Sequence, residues 1–186
     1  MMELLTKYPE FIERYSVTGF PEVIVARAIL NSATILKAEE HYSQQLLSGN
    51  FQVDRLHQLD RLYFRDDSFG LILLREIEPL ASEIIGVRLN SLYSFASYYR
   101  RGANLLRHYD RDECELTVGF RLFDSTVDSD SSKPYLSFGS PTESTDVIMT
   151  SVDAAMFYGA ITPHWRAQLN EDYLCTLLLH YRARLS

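Results

Sequence analysis

The hydrophobic period of this chain changes near residue 86, and that change constrains the fold more than any other feature. After Gly86 short β-type runs follow one another: Ser91 to Arg100, Glu115 to Phe123, Tyr135 to Phe138, Val147 to Thr150, Ala154 to Tyr158 and Tyr173 to Tyr181. Six such runs in under a hundred residues predict a sandwich or barrel, because each strand must bury one face against another sheet. Before the change, helical spacing prevails. Leu4, Leu5, Tyr8, Phe11 and Ile12 predict a short amphipathic helix over Met1 to Tyr15, followed by a turn at Thr18-Gly19-Phe20. Pro21 opens a second, longer helix striped by Val25, Ile29, Ala33 and Leu36 and stopped at Gly49. Residues 50 to 69 are mixed, and Leu71 to Ile85 resumes a helical pattern.

A single domain is expected, with residues 1–88 as a helix-rich support and residues 89–186 as a β core, since 186 residues at 46% hydrophobic suffice for one substantial core. Asp124 to Lys133 is too polar to pack and reads as a strand-to-strand loop or as a rim over a site. No apolar run reaches membrane-spanning length and the first residues lack a secretory pattern, so the expectation is a cytoplasmic protein with no membrane partner. Cys114 and Cys175 form neither a disulfide framework nor a CxxC site, and read as buried, reduced thiols. A formal charge of −7 argues against a nucleic-acid partner and favours cationic or neutral substrates. The local exception is Arg100, Arg101, Arg107 and Arg111, which are either solvated edge-strand charge or a hold for an anionic cosubstrate. Oligomeric state is not legible.

Those arginines surround the residues that carry chemistry. His108 and Asp110 are two apart, so on an extended segment both side chains project to one side and can converge on one ion. A third ligand must come from elsewhere, and His164 stands out because Pro163 stiffens its approach and Trp165 and Arg166 set an aromatic plane and a cation beside it. Two imidazoles and one carboxylate on one face leave coordination positions open, the pattern that suits Fe(II) oxygen chemistry. His41 and His57 read as solvated residues. His180 shares a strand face with Leu178 and reads as structural, since three ligands suffice.

With those landmarks the sequence resembles the 2-oxoglutarate and Fe(II)-dependent oxygenases, nearest their prolyl-4-hydroxylase-like branch, over roughly residues 89 to 182. Tyr99-Arg100-Arg101-Gly102, Leu105 and His108-Tyr109-Asp110-Arg111 resemble the family's Tyr-x-x-Gly…Leu-x-x-His-x-Asp-Arg approach, and Cys114-Glu115-Leu116-Thr117 continues it as the next strand. Asp153-Ala154-Ala155-Met156-Phe157-Tyr158-Gly159 is similar to the run before the distal histidine. Pro163-His164-Trp165-Arg166 and Leu177 to Tyr181 close the series in the family's order. The resemblance implies a double-stranded β-helix of the jelly-roll, cupin-like kind. It also implies Fe(II) held by His108, Asp110 and His164, with 2-oxoglutarate and O2 as cosubstrates and succinate and CO2 as products of oxidising an unactivated C–H bond.

The family's usual cation, about ten residues past the distal histidine, has no counterpart, because Leu174 and Cys175 stand there. A buried dicarboxylate needs a partner. Arg166 is the first choice, because alternation keeps it on the face of His164, and a guanidinium grips a carboxylate with two hydrogen bonds. Arg121 and Arg182 are the alternatives, and Tyr99 stands where related enzymes set a phenol against the cosubstrate. Thr117 and Thr176 are weaker candidates that packing also explains, and Asp153 reads as fixing a turn. Three function classes follow: an oxygenase of small molecules such as an amino acid or natural-product intermediate, a hydroxylase of peptide or protein side chains, and a non-catalytic binding module that retains a metal.

Overall fold

The computed structural model describes residues 11–54, 61–125 and 135–184. In chain order the front half holds β1 (Ile12–Val17), β2 (Phe20–Ala26), α1 (Ser32–Leu47), β3 (Gln52–Val53), β4 (Arg61–Arg65) and α2 (Ser68–Ile85). The remainder is strand: β5 (Leu89–Arg100), β6 (Leu105–His108), β7 (Leu116–Asp124), β8 (Leu136–Ser140), β9 (Glu143–Val147), β10 (Ala154–Phe157), β11 (His164–Arg166) and β12 (Tyr173–Ala183). From β5 onward the chain crosses back and forth between a large sheet ordered β1-β2-β10-β7-β12-β5-β4-β3 and a small one ordered β6-β11-β8-β9, with β8 and β9 forming a hairpin within the small sheet. Every pairing is antiparallel. Two facing sheets wound by one chain are a double-stranded β-helix, the architecture that the resemblance implies.

Period-two burial explains the layers. On β7 and β12, Leu116, Val118, Phe120 and Leu122 join Cys175, Leu177, Leu179 and Tyr181 in a core shared with Tyr42 of α1 and Leu73, Leu74 and Ile77 of α2. Each such large side chain contributes about 1.5–3 kcal/mol when buried. The opposite faces of the same strands carry Thr117, Gly119, Arg121, Thr176 and His180 toward the small sheet, so polar chemistry has one place to gather. A second core of Val23, Val25, Leu105, Leu136, Phe138 and Phe157 fills the space between the sheets. Asp67 caps α2 by accepting from the Phe69 and Gly70 amides, and it also accepts from the Tyr42 hydroxyl, which ties the two helices together.

The front half departs from expectation in its first third. Where helices are predicted up to Tyr15 and from Pro21, residues 12–26 form a β-hairpin turning at Thr18-Gly19, and helix begins only at Ser32 after the Asn31 cap. The β-branched run Val23-Ile24-Val25 is buried on both faces of the large sheet, between β1 and β10, and such residues favour a pleated surface over a helix. Leu4, Leu5, Tyr8, His57 and most of the polar segment 124–133 lie outside the described residues. The strand expected over Val147 to Thr150 runs instead over Glu143–Val147, and β3 and β4 occupy part of the mixed segment. Among the described residues no helix is long and apolar enough to cross a membrane.

Candidate metal centre

Cross-strand register assembles the ligands. β11 pairs with β6 so that His164 stands directly opposite His108, which sets the two imidazole rings 4.3 Å apart. Asp110, two residues past His108, is pinned where its amide donates to the Gly159 carbonyl at 2.9 Å. Its Oδ1 lies 3.7 Å from His108 Nε2 and 3.6 Å from His164 Nε2, and the three ligand atoms fall within 4.8 Å of one another. Each imidazole is oriented from behind: His108 Nδ1 faces the Leu106 carbonyl at 2.9 Å and His164 Nδ1 faces the Thr162 carbonyl at 3.0 Å. A ring nitrogen against a carbonyl carries the hydrogen, so both Nε2 lone pairs are left toward Asp110, the tautomer that a metal ligand requires. Phe157 packs edge-on against the buried His164 ring at 4.8 Å and fixes its plane.

The carboxylate is fixed as firmly. Asp110 Oδ2 accepts from the Thr117 hydroxyl at 2.7 Å, and Thr117 Oγ1 in turn lies 3.1 Å from His180 Nδ1. Burial opposes ionisation of Asp110, yet His164, His180 and the Thr117 hydroxyl outweigh it and hold the carboxyl well below the usual carboxylate range. Burial pushes His108 down, with the neighbouring His164 adding to it, and pushes His180 down to about 4, so both are neutral at pH 7. Gly159 is obligatory here, because a Cβ on it would stand 2.0 Å from Asp110 Oδ2. This donor set, two imidazoles that each present Nε2 and an ionised carboxylate on one side of a cavity, fits a divalent ion with open positions.

Beyond the ligands the cavity, of about 310 Å³, continues to Tyr99, Tyr135 and Arg166. Arg166 is 9% exposed, its Nε donates to the Tyr135 carbonyl at 2.9 Å, and its guanidinium carbon lies 4.7 Å from the Tyr99 ring centre. Its Nη1 and the Tyr135 hydroxyl are buried and have no hydrogen-bond partner among the described residues. Two orphaned donors in one polar recess require an acceptor. Burial raises the Tyr99 phenol, but Arg166 and Arg61 outweigh it and hold it below its ordinary value, so the recess is electropositive.

Other predicted residues lie elsewhere. Arg121 bonds Asp124 through Nε at 2.8 Å and Nη2 at 2.6 Å and does not line this cavity. Arg182 is half-exposed beside Glu115 at 3.7 Å, also away from it. Thr176 lines the cavity, as does His180. Of the four arginines singled out by sequence only Arg111 reaches the cavity, since Arg101 pairs with Asp172 on the surface and Arg107 donates to the Gly139 carbonyl. Sequence reasoning missed Arg61, Arg65, Tyr93 and Tyr135, which also line it. The available signal was the alternation Arg61-Leu62-Tyr63-Phe64-Arg65, which gives β4 one apolar and one cationic face.

No family model matches the sequence, and no curated protein matches it. Solved structures match its fold. A Pseudomonas putida prolyl-4-hydroxylase superposes with a TM-score of 0.71 at 14% identity, over 87% of this chain and 92% of that one. HygX from Streptomyces hygroscopicus, solved with nickel, 2-oxoglutarate and hygromycin B, gives 0.66 at 12%, over 86% and 82%. The viral collagen prolyl hydroxylase of Paramecium bursaria Chlorella virus-1, solved with 2-oxoglutarate, gives 0.57 at 12%, over 81% and 91%. At these identities the likeness is one of architecture, and the chain has the double-stranded β-helix fold that these oxygenases share.

Proposed function

We propose that this protein is a 2-oxoglutarate and Fe(II)-dependent oxygenase that hydroxylates or otherwise oxidises an unactivated C–H bond of a small molecule, such as an amino acid or a natural-product intermediate. The observation that carries the reading is a three-ligand face, His108, Asp110 and His164, in the same cavity as a buried guanidinium whose Nη1 has no hydrogen-bond partner among the described residues. Bound Fe(II) would couple O2-driven decarboxylation of 2-oxoglutarate, to succinate and CO2, to oxidation of the substrate.

The chain's own residues supply positioning and charge. Arg166 takes the far carboxylate of 2-oxoglutarate in place of the family's missing downstream cation, with the Tyr135 and Tyr99 phenols beside it. A dianion there satisfies both orphaned groups. The Leu106 and Thr162 carbonyls and the Thr117 hydroxyl hold the ligands in place before the ion arrives. Leu105, Leu136 and Phe157 form the apolar wall that keeps water from the reacting centre. A peptide or protein side chain is the second reading, favoured by the two prolyl hydroxylases among the structural neighbours.

Anaerobic titration of the Fe(II) protein with 2-oxoglutarate tests the reading, through the visible charge-transfer band of the chelate. The parent develops the band, His108→Ala abolishes it, and Arg166→Gln raises the 2-oxoglutarate concentration needed by roughly tenfold or more. No band in the parent refutes the oxygenase reading. An unchanged affinity in Arg166→Gln removes that residue from the cosubstrate site. Succinate release stimulated by peptides rather than free amino acids selects the second substrate class.

A further inference from the structure

The net charge of −7 is not the charge that a molecule meets at the mouth of this cavity. Resting on the oxygenase reading, we propose that the substrate is an anion with an apolar body, whose carboxylate is received by Arg65 and Arg111 and whose body lies against Tyr93, Phe95 and Tyr109. All five residues line the same cavity as the metal ligands. The Arg65 guanidinium carbon sits over Tyr93, 3.9 Å from the ring centre, and the Tyr93 ring is 4.5 Å from the His180 ring. That cation–π contact holds the guanidinium at the cavity wall and limits the freedom it loses on binding an anion. Arg111 follows the ligand Asp110 in the chain and lines the same cavity as the three ligands.

The acidic neighbours of these arginines do not cancel the charge seen from inside. Arg65 Nε is 3.4 Å from Asp66 and Arg111 Nη1 is 3.9 Å from Glu113, all four side chains are substantially solvated, and neither acid lines the cavity. Ion pairs of that kind are weak and leave a guanidinium free to exchange partners. Arg61, deeper in, is committed to Asp54 and Tyr99. Asp110 is the only acidic residue on the wall among the described residues, and a bound ion would neutralise it. A cationic substrate would therefore enter against Arg65 and Arg111 with no carboxylate to meet it, whereas an anion gains on approach and at rest. The aromatic walls select for an apolar body behind the charge.

The test uses zinc-substituted, 15N-labelled protein saturated with 2-oxoglutarate, titrated with phenylacetate and separately with phenylacetamide, and read at the Nε–H resonances of Arg65 and Arg111. Phenylacetate is expected to shift both resonances and to bind at least roughly tenfold more tightly than the amide. Arg65→Gln and Arg111→Gln should each shrink that preference to about threefold or less. Equal binding of acid and amide, unmoved resonances, or a preference that survives in both variants overturns the proposal; the last outcome assigns the carboxylate to the metal. The same titration in an Arg166→Gln background without 2-oxoglutarate separates this idea from the cosubstrate reading. An anion preference there, with no charge-transfer band in the Fe(II) parent, fails the oxygenase assignment alone.

Discussion

The Asp110 carboxylate depends on one hydroxyl for its aim. Thr117 has a single hydrogen to give, and with Asp110 Oδ2 at 2.7 Å and His180 Nδ1 at 3.1 Å the assignment is determined: the hydroxyl donates to the carboxylate and accepts from the imidazole. That leaves Oδ1 turned toward both ligand imidazoles. Thr117→Val keeps the volume and removes the donor, so affinity for Mn(II) or Co(II), measured by chelator competition, should fall roughly tenfold to a hundredfold with the fold intact. An unchanged affinity would mean that the ligands need no such support. The metal ligands themselves are legible as residues two apart and a histidine flanked by Pro163 and Trp165. Thr117 is not, because threonine is ordinary in a strand. Its meaning comes from the β7–β12 register that sets it opposite His180. Gly159 is similarly silent in sequence, since its need arises from Asp110 arriving across a loop.

Elements differ in how far they reveal themselves. The long strands β5, β7 and β12 carry enough alternation to be read directly, and their opposite faces predict both the helix-facing core and the polar interior. β11 has three residues, too few for a period, and exists because His164 and Trp165 pair with Phe138 and Ser137 on one side and His164 with His108 on the other. The first hairpin is misread because Val25 and Ile29 stand four apart and suit a helix face, while the β-branched Val23-Ile24-Val25 run points to the strand. Besides the β2–β10 pairing, Asp153 ties the end of that hairpin to the barrel, accepting from the Ala28 and Thr150 amides at 2.9 and 2.8 Å and pairing with Arg27 at 2.8 Å. Asp153→Ala removes an acceptor shared by four donors, the Ala28 and Thr150 amides, the Thr150 hydroxyl and Arg27, in a site 3% exposed, and should lower stability to denaturant by about 2–3 kcal/mol. A shift below about 1 kcal/mol would mean that sheet pairing alone seats the hairpin.

Stability of the whole molecule is linked to the protonation of its metal site. His180 is 4% exposed, and burial holds its pKa at about 4, against 6.5 for a free imidazole. Because the folded value is the lower one, the unfolded chain takes up the proton first as pH falls. The contribution of His180 is therefore complete above about pH 6.5 and is lost progressively toward pH 4, for a total of about 3 kcal/mol at 1.4 kcal/mol per unit. Burial acts on His108 in the same direction. A bound ion adds to this dependence, since it requires neutral imidazoles and stabilises only the folded state, by about 2.7 kcal/mol at a hundredfold excess over its Kd. Unfolding followed at pH 7 and pH 4.5 should thus show a metal-free protein that weakens in acid, and Mn(II) should raise Tm by several degrees at pH 7 but not at pH 4.5. His180→Asn separates the two effects, because its amide can still donate to Thr117 and has no proton to gain. Its metal-free acid loss should shrink by most of His180's share while the Mn(II) shift at pH 7 survives. If the variant instead weakens in acid as steeply as the parent, the sensitivity belongs to His108 and its partners, and His180 serves the carboxylate without setting the pH range of the fold.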